Sequence, residues 1–312
     1  MSGGAPFAYA RSFGAADVRG GKFFSAGPSR RLGGRTINIL GAALFLVAVV
    51  LSFADLPSFF RDGLTLYAFD VGQADSFLFH FPGGENVLVD AGGRKTAREL
   101  VSKLQLLGVK KIDVLVATHP HEDHIGGMKD VIAAFEIGKA WDSGFNHGSP
   151  VQRDMLTALR DKNIRFGRPR AGFVEKIGGA EIEVIAPLTG ISGSGSDANN
   201  NSIVIRVSFG KVSFLMTGDI EEAGRRAVSF PRSTVLKASH HGSANGTDEK
   251  LLNDVAPEIA ILSYGRRNQY GHPHKRVIEL LKKHGVRTYA TVDGDIIITT
   301  DGRSLDVRQE AR

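Results

Sequence analysis

Residues 119–124 of this 312-residue chain read His119-Pro120-His121-Glu122-Asp123-His124, three imidazoles and two carboxylates in six positions. Imidazole nitrogens and carboxylate oxygens are the donors that divalent ions such as Zn²⁺ and Mn²⁺ accept. Gathering them in one short loop is expensive unless cations neutralise them. The bland alternative is a polar surface turn, which leaves the density of donors unexplained. In an extended backbone, alternate side chains fall on one side. His119 and His121 are therefore expected to meet one ion while Asp123 and His124 turn towards a second. The expected cofactor is a pair of divalent metal ions, Zn²⁺ or Mn²⁺, and the expected chemistry is hydrolysis by a metal-activated water.

Such a loop needs rigid neighbours. The apolar run 112–117 directly before it reads as a buried strand, and Gly126-Gly127 after it are expected to let a helix start close to the ions. Upstream, strands are expected at 64–69, 77–81 and 86–89, the last two joined by the turn Pro82-Gly83-Gly84-Glu85. Ala97, Leu100, Val101, Leu104 and Leu107 recur at helical spacing within 94–107, and Gly108 suits the C-cap. Downstream, helices are expected at 151–162, after Asp219 and at 277–284. Strands are expected at 181–185, 203–209, 212–216, 235–238, 259–263 and 296–300. Mixed strands and covering helices make a layered α/β domain. The Gly- and Ser-rich run 190–201 reads as a flexible loop, a lid over a site.

The segment HPHEDHIGG resembles the HxHxDH motif of the metallo-β-lactamase superfamily. That resemblance implies an αββα four-layer sandwich with two mixed sheets, and it assigns further residues. Asp90, ending VLVD before Ala91-Gly92-Gly93, matches an aspartate that supports the metal loop by hydrogen bonding without binding metal. Asp219 in MTGD matches the aspartate that bridges two metals. His240 in LKASHHGS matches the last histidine ligand, with His241 taking that place if the register shifts by one. Two of these have simpler readings: Asp219 with Glu222 also has the form of a capping box, and Asp90 could merely open a turn. One superfamily ligand is missing. A histidine usually stands between the metal loop and the bridging aspartate, but this sequence has Ala198-Asn199-Asn200-Asn201-Ser202 there, and His147 lies well before that place. An amide is a weak ligand, so the ion on His119 and His121 is expected to be the looser one.

DVGQADS (70–76), NNNSIVIRV (199–207), LMTGD, LKASHHGS and NQYGHP (268–273) together resemble the C-terminal hydrolase domain of the DNA-uptake protein ComEC and its free-standing relatives, over about 63–307. Ala74 departs from that pattern, where a glycine is usual. The resemblance implies a phosphodiesterase or nuclease, with a phosphodiester such as DNA as substrate. Asp123 and His272 are the residues given catalytic roles, His272 as leaving-group acid or phosphate ligand in the turn fixed by Gly271 and Pro273. Asp75, Asn199, Asn201, His241, Ser243, Asn268 and Tyr270 are expected around the ions or the substrate, and Lys237 and Asn245 as weaker substrate contacts. The multi-helix channel of ComEC has no counterpart here, so transport is not implied. Rival readings are a lactone, thioester or β-lactam hydrolase, against which the missing histidine stands, and a metal-stabilised binding module without turnover.

The chain has no cysteine, which excludes disulfides, thiolate zinc sites, a cysteine nucleophile and the β-lactamase types with a thiolate ligand. Its net charge of +6 invites a nucleic-acid reading until it is located. Arg11, Arg19, Lys22, Arg30, Arg31 and Arg35 against Asp17 place +5 in residues 1–35, leaving +1 for the other 277. Residues 36–54 carry no charge and are nearly all apolar, which reads as a membrane anchor or a signal peptide. The arginines before it favour a cytoplasmic tail and an outside domain. The expected organisation is a disordered basic tail (1–35), the hydrophobic helix (36–54), a linker (55–62), the hydrolase domain (63–307) and a short tail (308–312).

Overall fold

A computed structural model describes residues 63–310, so the basic tail, the hydrophobic segment and the linker lie outside the described residues. The described chain begins β1 (Leu64–Ala68), β2 (Phe77–His80), β3 (Asn86–Val89), α1 (Ala97–Leu106), β4 (Lys111–Ala117), α2 (Glu122–Ile125) and α3 (Met128–Ala134). It continues through β5 (Glu136–Asp142), α4 (Pro150–Asp161), β6 (Arg165–Gly167), β7 (Val174–Ile177), β8 (Ala180–Ala186), α5 (Asp197–Asn200), β9 (Val204–Phe209) and β10 (Val212–Met216). It closes with α6 (Glu222–Arg226), β11 (Val235–Lys237), α7 (Glu249–Val255), β12 (Ile259–Leu262), α8 (Lys275–Lys283), β13 (Arg287–Ala290), β14 (Ile296–Thr300) and β15 (Leu305–Gln309).

The strands form two sheets, ordered β15-β14-β1-β2-β3-β4-β5-β6 and β13-β12-β11-β10-β9-β8-β7. Both are mixed: β3 to β6 run parallel beside an antiparallel meander, and β10 to β13 run parallel beside antiparallel β9, β8 and β7. Alternation along each strand sorts the core into three slabs. Val87, Val89, Val114 and Val116 face Ile182, Ile205 and Phe214 between the sheets. Leu88 and Leu115 point the other way, onto Leu100 and Leu104 of α1 and Met128 and Val131 of α3. Leu215 and Leu236 leave the second sheet for Leu251 and Leu252 of α7 and Val277 and Leu281 of α8. The layers are therefore helix, sheet, sheet, helix. Covering β4 on both faces explains why its second half, Val114–Ala117, is an unbroken apolar run with no alternation to read.

Three expectations change. The run 190–201 is tied down: Asp197 accepts from the backbone N–H groups of Gly193 and Ser194 at 2.9 and 2.7 Å, and Asn201 donates to Ile191 O at 2.7 Å. Its polar residues satisfy the loop's own backbone, and Asp197–Asn200 is helical. β15 also extends to Gln309, beyond the expected end of the domain.

Gly126 and Gly127 serve a different contact from the one expected. A Cβ at Gly127 would lie 2.2 Å from Ala91 O, and one at Gly126 would lie 2.6 Å from Arg94 N. The glycines clear the backbone corner after β3, and Gly127 N–H donates to Gly92 O at 3.1 Å. Gly127→Ala must push that corner, which carries Asp90, away from the metal loop. We expect a loss of about 1–3 kcal/mol, read as a lower urea midpoint; an unchanged midpoint would refute the contact.

Candidate metal centre

The loops that leave the C-terminal ends of β3, β4, β10, β11 and β12 meet at one edge of the sandwich. Asp90 ends β3 in a left-handed conformation, φ 59°, which an aspartate tolerates better than most residues. This turns its carboxylate over the end of β4, where it accepts from Thr118 N at 2.9 Å and Thr118 Oγ1 at 2.7 Å and lies 2.7 Å from His124 Nδ1. Backbone bonds from Asp75 N to Asp123 O (3.0 Å) and from Ala91 N to His124 O (2.7 Å) fasten the loop on both sides.

Four histidines converge on one oxygen. Asp219 Oδ2 lies 3.2 Å from His124 Nε2, 3.4 Å from His241 Nε2, 3.7 Å from His240 Nε2 and 4.0 Å from His119 Nε2. In each ring Nδ1 faces a different oxygen: Asp90 Oδ2 for His124 (2.7 Å), Ser263 O for His241 (2.8 Å), Glu221 Oε1 for His240 (2.8 Å) and Thr118 Oγ1 for His119 (3.2 Å). A neutral ring held at Nδ1 keeps Nε2 free for a cation. His121 presents its other nitrogen, with Nδ1 3.0 Å from His119 Nε2. Asp123 Oδ2 stands 3.2 Å from His241 Nε2. Asp123, His124, Asp219 and His241 thus bring ligand atoms within 4.8 Å of one another. Asp75, Asp90 and His124 do so too, although Asp75 is paired with Lys237 and Asp90 is engaged by Thr118.

The charges need counter-ions. Asp75, Asp90 and Asp219 are buried, while Lys237 Nζ, also buried, reaches Asp75 Oδ2 at 2.6 Å and Asp219 Oδ1 at 3.3 Å. Burial opposes the charge on His124 and His241, but Asp219 with Asp90 at the first and Asp219 with Asp75 at the second outweigh it, holding both pKa values well above the ordinary histidine range. Burial alone would raise Asp219, yet His241, His124 and Lys237 keep it well below the usual carboxylate range. Burial and the nearby His124 push His119 well down. Divalent cations fit this donor set, and His124 Nε2, fully buried, has no hydrogen-bond partner on the protein.

Residues 69–266, more than half of the chain, match the metallo-beta-lactamase superfamily. The chain belongs to that superfamily. It is also 30% identical over 244 residues to ComE operon protein 3 of Bacillus subtilis strain 168, covering 71% of this chain and 31% of that protein. Recombination protein 2 of Haemophilus influenzae is 27% identical over 302 residues, 94% of this chain and 36% of its own. Competence protein ComA of Neisseria gonorrhoeae is 28% identical over 228 residues, 71% and 30%. The chain thus spans about a third of the length of these curated relatives.

Among the residues singled out from the sequence of this superfamily member, the structure gathers His119, His121, Asp123, His124 and Asp219 around one point. Of the pair after β11, His241 joins Asp123 and His124, whereas His240, placed first from the sequence, turns to Glu221. The capping reading of Asp219 does not hold: Glu221 occupies the N-cap of α6, and the Asp219 carboxylate faces the histidines. Lys237, expected as a substrate contact, is buried on Asp75 and Asp219 and does not line the cleft described below. Ser243 is buried and accepts from Asn245 N, Asn245 O accepts from Arg225, and Asn201 ties down its own loop. Asn268 builds the turn that holds His272, accepting from His272 N at 2.9 Å and donating to His272 O at 2.8 Å.

A cleft of about 350 Å³ opens over the cluster, lined by His121, Asp123, Asn199, His240, Tyr270 and His272 among others. A larger depression of about 670 Å³ beside Lys111, Lys139 and Arg165 begins at the opposite end of β4 and holds no such cluster. Two residues at the site escaped the sequence reading, Gln73 in the cleft lining and Glu221 beside His240. Gln73, inside DVGQADS, accepts from Gly265 N at 3.0 Å through Oε1 and offers its amide to His272 Nδ1 at 3.4 Å. Glu221 gave no signal beyond its place after Asp219.

His124 and His241 hold protons in the metal-free chain that a cation must displace. The stability those protons confer is present below the unfolded histidine pKa and fades as pH rises through the raised folded values. Metal affinity runs the opposite way, rising with pH. Calorimetric Zn²⁺ titration near neutral pH, in buffers of different ionisation enthalpy, should show net proton release; heats independent of buffer would contradict it.

Proposed function

We propose that this chain is a metal-dependent phosphodiesterase that cleaves nucleic-acid strands, DNA foremost, outside the cytoplasmic membrane. The observation that carries the reading is the set of histidine nitrogens arranged around Asp219 Oδ2 at the floor of an open polar cleft. His119, His121, Asp123, His124, Asp219 and His241 would hold two divalent ions, which when bound would supply an acidified water and charge stabilisation for a phosphoryl displacement. The names of two relatives, Recombination protein 2 and Competence protein ComA, favour a nucleic acid over a lactam.

The chain's own part in the reaction is positional. Asp90 holds His124, Ser263 holds His241, and Lys237 fixes the inner oxygen of Asp219 so that the outer one faces the ions. His272 is kept neutral: burial first, then His240 and His241, lower its pKa to about 4. With the Gln73 amide at Nδ1, its proton sits on Nε2, which donates a hydrogen bond to a phosphoryl oxygen. Of the two roles expected for His272, this supports phosphate binding over that of a charged leaving-group acid.

The basic flank and uncharged run of residues 30–54 support membrane attachment with the catalytic domain on the outer side. Among the described residues no helix is long and apolar enough to cross a membrane. Cell fractionation that finds the protein wholly cytosolic would refute this placement.

With Mn²⁺ or Zn²⁺, the purified chain should cleave single-stranded DNA and bis-p-nitrophenyl phosphate and spare a chromogenic β-lactam. His121→Ala should exceed the roughly 10–100-fold losses typical of outer-shell partners, and His272→Ala should lower kcat by about 10²–10³ at unchanged metal content. Equal cleavage by wild type and His121→Ala would end the catalytic reading, and turnover of the β-lactam alone would replace it.

A further inference from the structure

The superfamily resemblance calls for a histidine between the metal loop and Asp219, and this sequence has asparagines there. We infer that His240 supplies the missing ligand, completing a pocket for the first ion with His119, His121 and Asp219, while Asn199 and Glu221 act as its positioning residues. The inference rests on the metal centre of the proposed function and is independent of its substrate.

The relay is visible in the side chains. Asn199, 4% exposed, donates from Nδ2 to Glu221 Oε1 at 3.2 Å. The same carboxylate oxygen lies 2.8 Å from His240 Nδ1, a close charge contact and not an aligned hydrogen bond. A carboxylate on one ring nitrogen is the usual arrangement behind a metal-binding histidine, fixing the tautomer and turning the other nitrogen to the ion. His240 Nε2 then lies 3.7 Å from Asp219 Oδ2, the oxygen that His119 Nε2 approaches to 4.0 Å. His240 and His121 both line the cleft over that oxygen.

The backbone supports the same assignment. His240 and His241 take left-handed φ values of 51° and 54°, and their rings stand 6.0 Å apart at 62°. The pair is thereby split, His241 to Asp123 and His240 to Glu221, with both Nε2 atoms still turned to Asp219 Oδ2. Left-handed backbone at a non-glycine residue is unfavourable and often marks a functional position. His147, the other histidine near the loop, stacks edge-on to His121 at 5.3 Å but is exposed and belongs to a different loop.

The test counts ions rather than turnover. The full-length chain is stripped of metal and titrated with Zn²⁺ by calorimetry, with the bound metal measured by mass spectrometry and the Co²⁺ form by visible absorption. Wild type and His147→Ala should hold two ions. His240→Gln should keep one and bind the second at least about 100-fold more weakly, and Glu221→Gln should weaken the second by about 10–100-fold, both with altered Co²⁺ bands. Matching circular dichroism melts of the metal-free proteins separate ligand loss from misfolding, and Glu221→Gln reads the same pocket should His240→Gln prove unstable. Two ions at wild-type affinity in either variant, with an unchanged Co²⁺ spectrum, would overturn the inference. Loss of the second ion in His147→Ala would do the same. A chain that passes this test yet cleaves no phosphodiester ends the proposed function alone, and one that cleaves but fails it ends this inference alone.

Discussion

Removing a carboxylate from water is unfavourable unless its charge is met, and Asp219, buried between the ends of two sheets, sets that demand for the whole site. Its inner oxygen is met by Lys237, itself buried and paired with Asp75. Its outer oxygen has no lysine or arginine. Four imidazole nitrogens approach it instead, each from a ring whose Nδ1 faces a separate oxygen on a separate element. Protons on His124 and His241 meet the charge in the metal-free chain, and divalent ions would meet it better. Proton occupancy and ion occupancy are thus alternative solutions to one electrostatic problem.

The sandwich makes that solution rigid. Each sheet contributes parallel strands whose C-terminal ends reach the same edge, the first supplying Asp90 and the metal loop, the second Asp219, His240, His241 and the Ser263 carbonyl. Bonds across the divide include Ser263 Oγ to Ala74 O at 2.7 Å and Ile203 N to Thr118 O at 2.8 Å. Ligands borrowed from two sheets with a packed core between them cannot drift independently.

Which parts were legible follows from where apolar side chains lie. The interior strands β1 to β4, β8 to β12 and β14 are covered on at least one face and appear in the sequence as apolar runs or alternation. β6, β7 and β13 give no such signal, and β15 gives only the brief alternation Leu305-Asp306-Val307-Arg308. They are the four edge strands, short and half-exposed, and they exist because a neighbour offers backbone partners. β5 lies inside its sheet and was still not seen, since Gly138 and Lys139 break its pattern.

The sequence by itself determined that a metal-ligating loop exists, because that depends on residue types at short spacing, while the bracing aspartate and the absence of one usual histidine followed only from the superfamily resemblance. It could not divide His240 from His241, since adjacent residues have no preferred side until the backbone turns, and a pair of left-handed φ values is imposed by packing. Nor could it join Asn199, Glu221 and His240, which meet only when the loops after β8, β10 and β11 close on one another. Tertiary structure alone decided which nitrogen faces which oxygen, because an imidazole is oriented by the group behind it, and that group comes from another part of the chain.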